Sequence, residues 1–266
     1  MALRKLFSVW NLIFLLAALT LVLLVVYPMY AIFQASLLSA ETGAFTWDNY
    51  LSVFTTPFYR RCLWNSLFMS GLGTFFSVLI GVPFAFFTTR YKLPGATALR
   101  TLGTLPLILP TFIGAEAWLL LLGRNGIITR FFADLGLHIP SIYGWQGVVL
   151  VFTLQFFPFV FLMVGAAINS VDRSLEEAAR NLGASPWRVF RTVPLPVVTP
   201  AIASGALIVF CMSIENFGVP TIIGNDYKVL AEQAYSEFVS EMGGNPSMAG
   251  TLSTVLVVVT LALTVL

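Results

Sequence analysis

Six apolar runs, each about as long as a bilayer is thick, recur along this chain and fix what it can become. They lie at about 10–35, 64–88, 101–122, 147–169, 198–217 and 249 to the end. A helix crossing hydrocarbon needs about 20 such residues, and in lipid its backbone polar groups must be satisfied within the segment. The expected fold class is therefore all-α, a polytopic transmembrane helical bundle of six spans. Charged residues make up only 10% of the 266, against roughly 25% in a soluble domain, so the chain cannot coat itself for water and membrane lipid is its main solvent. A net charge of +2 with no basic run excludes nucleic acid as a partner. Breakers separate the runs, among them Lys92-Leu93-Pro94-Gly95, Gly123-Arg124-Asn125-Gly126 and Gly243-Gly244-Asn245-Pro246.

The first run follows Arg4 and Lys5 and is too long for a signal-peptide core. No small-x-small cleavage pattern closes it before Pro28, so it reads as a retained span. Orientation follows the basic residues. Arg4, Lys5, Arg90, Lys92, Arg100, Arg173, Arg180, Arg188 and Arg191 fall on one set of loops, against Arg60, Arg61, Arg124, Arg130 and Lys228 on the other. The richer set is expected in the cytoplasm, with the amino terminus inside. Most acids agree, with Glu41, Asp48, Asp134, Asp226, Glu232, Glu237 and Glu241 outside and Asp172, Glu176 and Glu177 inside. Residues 1–60 are expected to form an accessory span and outer loop, and 61–266 the core. The last run is still apolar at Leu266 with no basic stop, which points to the first half of a longer, fused polypeptide.

One polar island, 170–197, interrupts the apolar pattern between two spans. Ser174-Leu175-Glu176-Glu177 reads as a capping box. Leu175, Ala178, Ala179 and Leu182 then fall on one narrow apolar face, with Glu176, Glu177, Arg180 and Asn181 elsewhere. Gly183 suits the left-handed residue that closes a helix. Ser185 and Pro186 begin a second helix carrying Trp187, Arg188, Phe190 and Arg191, and Pro194, Pro196 and Pro200 are expected to stop it and lead the chain back into the membrane. A helix lying on lipid headgroups is the plain alternative. An alanine-rich face is poor for burial in lipid and good for close packing in a protein groove, so docking on a protein partner is the expectation.

The spacing Glu177-Ala178-Ala179, three residues, Gly183, nine residues, Val193-x-Leu195-Pro196 resembles the EAA motif of binding-protein-dependent ABC importer permeases, the MetI-like group. Val193 stands where that motif has isoleucine. The similarity extends from roughly Asn65 to the end. It implies that Leu175 to Gly183 is a coupling helix seated in a cleft of a cytoplasmic ABC ATPase dimer, with Leu195 and Pro196 closing the motif. It also implies a periplasmic solute-binding protein, a second permease half (identical, paralogous or fused) and a bacterial inner-membrane location. No GxxxxGK[ST] occurs here, so ATP and Mg are expected on the partner ATPase, with no cofactor and no catalytic residue on this chain. The stretch Glu215-Asn216-Phe217-Gly218-Val219-Pro220-Thr221-Ile222-Ile223-Gly224 is similar to the E-F-G-x-P-x-x-x-G of ferric-iron-type permeases. Ferric iron is therefore the first expected solute, with an organophosphonate such as 2-aminoethylphosphonate or a polyamine as alternatives.

Glu116 and Glu215 fall within spans, where an ionised side chain is costly and commonly faces a pore or a partner. On straight helices both would stand ~22–26 Å above the cytoplasmic ends, towards the outer face. They join Gln155 and Asn216 as candidates for the translocation path; a place at the interface, a helix cap or a pairing with another subunit are the alternatives. Pro83, Pro106, Pro110 and Pro158 are expected to kink their helices. Cys62 and Cys211 show no metal or disulfide spacing and read as small buried hydrophobes, His138 receives no role, and no metal site is assigned. An ion-coupled secondary transporter is the alternative class, which would need inverted repeats or buried relay groups.

Overall fold

A computed structural model describes residues 9–91, 94–240 and 244–265; Arg4, Lys5, Lys92, Glu241 and Leu266 lie outside them. The described residues are helical apart from loops and one isolated antiparallel bridge, Leu38 to Phe45. Five helices are long and apolar enough to cross a membrane, or six if one bent pair is a single span.

The described residues of 9–60 and 233–259 make one compact unit. Its first helix, α1 (Val9–Ser36), is exposed along nearly its whole length. A π-helical stretch at Val22–Val26 precedes Pro28, whose missing N–H and ring disturb the turn before it. The helix ends in a knot of polar contacts. Ser36 Oγ lies 2.7 Å from the Tyr50 hydroxyl of α2 (Asp48–Thr55), and Asn49 Nδ2 donates to the carbonyls of Ser36 and Leu38 at 3.1 and 2.9 Å. Further along the chain, Thr251 Oγ1 donates to the Ser36 carbonyl at 3.1 Å. Gly250 lets the backbones meet, since a Cβ there would stand 2.8 Å from the Ile32 carbonyl.

The described residues of 61–232 and 260–265 make the second unit. Its axis is α7 (Trp145–Ser170), the most deeply buried of the long helices. α3 (Pro57–Arg90) and α10 (Pro194–Ile214) pack against it through glycines. A Cβ on Gly81 would come within 2.8 Å of Val160 Cβ, and one on Gly205 within 3.1 Å of Val160 Cα. Two helices thus close on one valine, which suits a lipid setting where tight backbone contact replaces the hydrophobic drive.

The third apolar run differs from expectation. It is broken into α4 (Ala96–Thr104, continued by a 3-10 turn to Leu107), α5 (Thr111–Leu122) and α6 (Ile127–Asp134), and the segments Ala96–Leu107 and Thr111–Asp134 meet at 108°. Pro106 sits in the 3-10 turn and Pro110 directly precedes α5. The break frees backbone carbonyls, and Gln155 Nε2 on α7 donates to the Leu109 carbonyl at 3.0 Å. By contrast, the helices holding Pro83 and Pro158 run on unbroken. Cys62 is buried, Cys211 is half-buried, and both are free.

Candidate functional site

The polar island folds as two short helices, α8 (Arg173–Asn181) and α9 (Pro186–Thr192), joined by a tight glycine turn. The start of α8 corrects the capping box. Asp172, not Ser174, is the N-cap: its carboxylate accepts from the Ser174 N–H at 2.9 Å. Asp172 has extended backbone, φ −69 and ψ 121, and the helix begins at Arg173, ahead of the Leu175 start that the Ser174 reading requires. That hydrogen bond favours the ionised carboxyl and holds its pKa below the ordinary value.

The end of α8 is as the sequence demands. Gly183 has φ +82; its N–H donates to the Arg180 carbonyl at 2.9 Å, and the Ala184 N–H donates to the Ala179 carbonyl at 3.1 Å. This paired arrangement is the Schellman closure, and it needs a residue at ease with positive φ. Ser185 then caps α9, its Oγ accepting from the Arg188 N–H at 3.4 Å. Pro194 opens α10 rather than stopping α9, with Val193 alone between the two helices.

The expected apolar face divides. Leu175, Ala178 and Leu182 face solvent, Leu182 at 89% exposure, while Ala179 turns half-inward beside Glu176. Glu176 pairs with Arg90 at the end of α3, and Glu177 and Arg180 line the same space. That space is a cavity of about 810 Å³. Its walls are Phe86 of α3, Val164 and Ile168 of α7, Trp187 and Phe190 of α9, and Leu195 and Val198 of α10. Leu195 points into the core and Pro196 outward, so the closing residues of the motif anchor the island to α10. On the outer side Leu175, Ala178 and the C-cap Leu182 form an uncovered apolar strip among exposed polar residues of α8.

The candidate path residues are distributed differently. Glu116 is exposed on α5, and the bend removes the straight-helix count that set its height. Glu215 is exposed at the end of α10. α11 (Gly218–Ile223), which follows Glu215 in the chain, packs on α5; a Cβ on Gly218 would stand 3.4 Å from Phe112, one turn before Glu116. Asn216 Oδ1 accepts from the Val219 N–H at 3.0 Å and so shapes the turn into α11. Gln155 is buried at 7% exposure, holding the Leu109 carbonyl, and Gly114 leaves it room.

Sequence reasoning missed Arg90 as a partner of the island and missed the polar fasteners of α3. Asn65 Nδ2 donates to the Lys228 carbonyl at 2.9 Å, and Ser66 Oγ accepts from the Leu230 N–H at 2.9 Å. Asn65 and Ser66, polar residues in an apolar helix, were the available signal. Nothing local links Arg90 to Glu176, 86 residues away.

Residues 65–266 match the family described as "Binding-protein-dependent transport system inner membrane component". The ferric transport system permease protein FbpB of Actinobacillus pleuropneumoniae is 31% identical over 251 residues, 92% of this chain and 36% of that protein. The molybdenum transport system permease protein ModB of Escherichia coli K12 is 35% identical over 174 residues, 65% of this chain and 75% of that protein. Permeases named for spermidine/putrescine and for sulfate transport match as well. The chain spans less than two fifths of the length of the ferric relatives, 38% and 36%. Among solved structures, a bacterial ABC transporter involved in importing the acidic polysaccharide alginate superposes with a TM-score of 0.79 at 19% identity, covering 99% of this chain and 96% of that one.

Proposed function

As the chain belongs to the family of binding-protein-dependent transport system inner membrane components, we propose that it is the permease subunit of an ATP-driven importer. In this reading it carries inward, by alternating access, a solute delivered by a periplasmic binding protein. The carrying observation is the bare apolar face of α8, Leu175, Ala178 and Leu182, closed by the Gly183 turn and backed by a packed island. Leu175, Ala178 and Leu182 lie on one helix face and are all exposed, Leu182 at 89%, and a contiguous uncovered apolar strip of this kind marks an interaction site. A cytoplasmic ABC ATPase dimer would cover it and would bind ATP and Mg. The island then lies on the cytoplasmic side, with the amino terminus, as the basic residues suggest. A second permease half, whether identical, paralogous or a fused continuation, would complete the path.

For the solute we put ferric iron first. The ferric relatives match over 90% and 92% of the chain, slightly more than the 86% over which the molybdenum permease of Mycobacterium tuberculosis matches at the same 31% identity, and the Glu215–Gly224 stretch is similar to the ferric-type pattern. Glu116 and Glu215 each present an exposed carboxylate, which on a solute path would attract a cation and repel molybdate or sulfate. Hard cations also take carboxylate oxygen readily. A polyamine, also a cation, or an organophosphonate such as 2-aminoethylphosphonate, whose ammonium group offsets part of its negative charge, is the alternative solute.

Reconstitution of the complete transporter in liposomes, with its own ATPase and binding protein, tests this. The binding protein is offered Fe(III), 2-aminoethylphosphonate, spermidine, molybdate or sulfate, and ATP hydrolysis and uptake are followed. Fe(III) is expected to stimulate both severalfold. Stimulation by another ligand alone would replace the solute and leave the importer standing. No stimulation by any ligand would contradict the importer.

A further inference from the structure

The island is tied by the chain to two of the long helices and by contacts to a third. α8 follows α7 through Val171 and Asp172, and α9 runs into α10 through Val193, so displacement of the island reaches α7 and α10 through the backbone. α3 is reached across space, at two places. The first is the ion pair of Arg90 with Glu176, whose side chains are only 12% and 16% exposed. Arg90 is the last residue of α3 and Glu176 lies in the first turn of α8. Each charge thus sits at the helix end whose dipole favours it, before either meets its partner. Shielded from water, neither can be left alone without a desolvation penalty, so the pair resists separation. The second place is one turn back along α3, where the Phe86 ring meets Phe190 of α9 edge-on at 5.7 Å. Phe190 is itself stacked on Trp187 at 5.7 Å. The end of α3 is also held from behind, since Arg100 donates to the Thr88 carbonyl and Thr88 Oγ1 to that of Phe84.

We propose that Arg90 and Glu176 form a latch, seconded by Phe86 and Phe190, that makes α3 move as one body with the coupling helices. Both are positioning residues, acting through α3. The inference rests on the importer reading and adds a third driven helix to it. Its test uses the transporter assembled with its ATPase, with Cys62 and Cys211 replaced by alanine. Spin labels at Tyr91→Cys and Asn181→Cys report the distance from the end of α3 to the end of α8. With the latch intact, that distance is expected to be the same in the nucleotide-free and ATP–vanadate-trapped states. In E176Q it is expected to shift or broaden between the states, and the charge exchange R90E/E176R is expected to restore a single distance. The exchange also guards against a folding defect in the single variant. E176Q distances matching the unsubstituted protein in both states, with ATPase bound, would overturn the latch alone. Failure of the exchange to restore the distance would overturn the ion pair as its cause. Failure of any ATPase to co-purify would overturn the importer reading and the latch with it.

Discussion

At Gly183 the backbone stands at φ +82, and nothing lies within 4 Å of where a Cβ would be. Any cost of substitution is therefore conformational, about 1–2 kcal/mol for an ordinary L-residue. Asparagine tolerates this region and a β-branched residue does not. Gly183→Asn is expected to keep most uptake. Gly183→Val is expected to reach the membrane at normal levels while uptake falls by roughly an order of magnitude, given that cost. Uptake normalised to membrane protein checks both. Asp172 gives a pH signature at the other end of the same helix. Its pKa is lowered by the Ser174 N–H, so its stabilisation is present above the ordinary carboxyl value and is lost as pH falls through the lowered one. Amide exchange at Ser174–Glu177 is expected to quicken as pH drops below that ordinary value, beyond the intrinsic trend. Asp172→Asn, an equally good cap without a titrating proton, is expected to remove the dependence.

Helix packing makes a sharper demand than helix formation. Gly81 has Val160 Cβ at 2.8 Å and the Phe157 carbonyl at 3.0 Å from its would-be Cβ, whereas Gly71 on the same helix has nothing within 4 Å. Gly81→Leu is expected to destabilise the protein by about 1–3 kcal/mol through overpacking, and Gly71→Leu to be close to silent. Thermal unfolding in detergent separates the two. The glycine spacing was visible in the sequence, but which glycine touches a neighbour was not. The same limit governs the prolines. Pro106 and Pro110 break their run while Pro83 and Pro158 do not, and one difference is a partner for the freed carbonyl, which Gln155 supplies from another helix. Hydropathy marks where apolar residues run and is blind to a 108° bend inside them. The island was legible almost throughout, because capping and left-handed closure are local chemistry. The move of its cap from Ser174 to Asp172 and the Arg90–Glu176 pair were not, since both depend on geometry the sequence does not carry.

At the scale of the molecule, sparse charge, long apolar helices and one compact polar island divide the labour. The apolar helices suit lipid, and α1, exposed nearly from end to end, is an extreme case. The island combines an inward side, packed on the ends of α3, α7 and α10, with an uncovered apolar strip facing outward. The central claim is that this face receives the force of a separate ATPase. Labelling of Leu182→Cys, with Cys62 and Cys211 replaced by alanine, by a membrane-impermeant maleimide tests it most directly, comparing the permease alone with the assembled transporter. The account predicts rapid labelling of the free permease, strong protection once the ATPase is bound, and a change in that protection on ATP binding. Equal labelling with and without bound ATPase would contradict it.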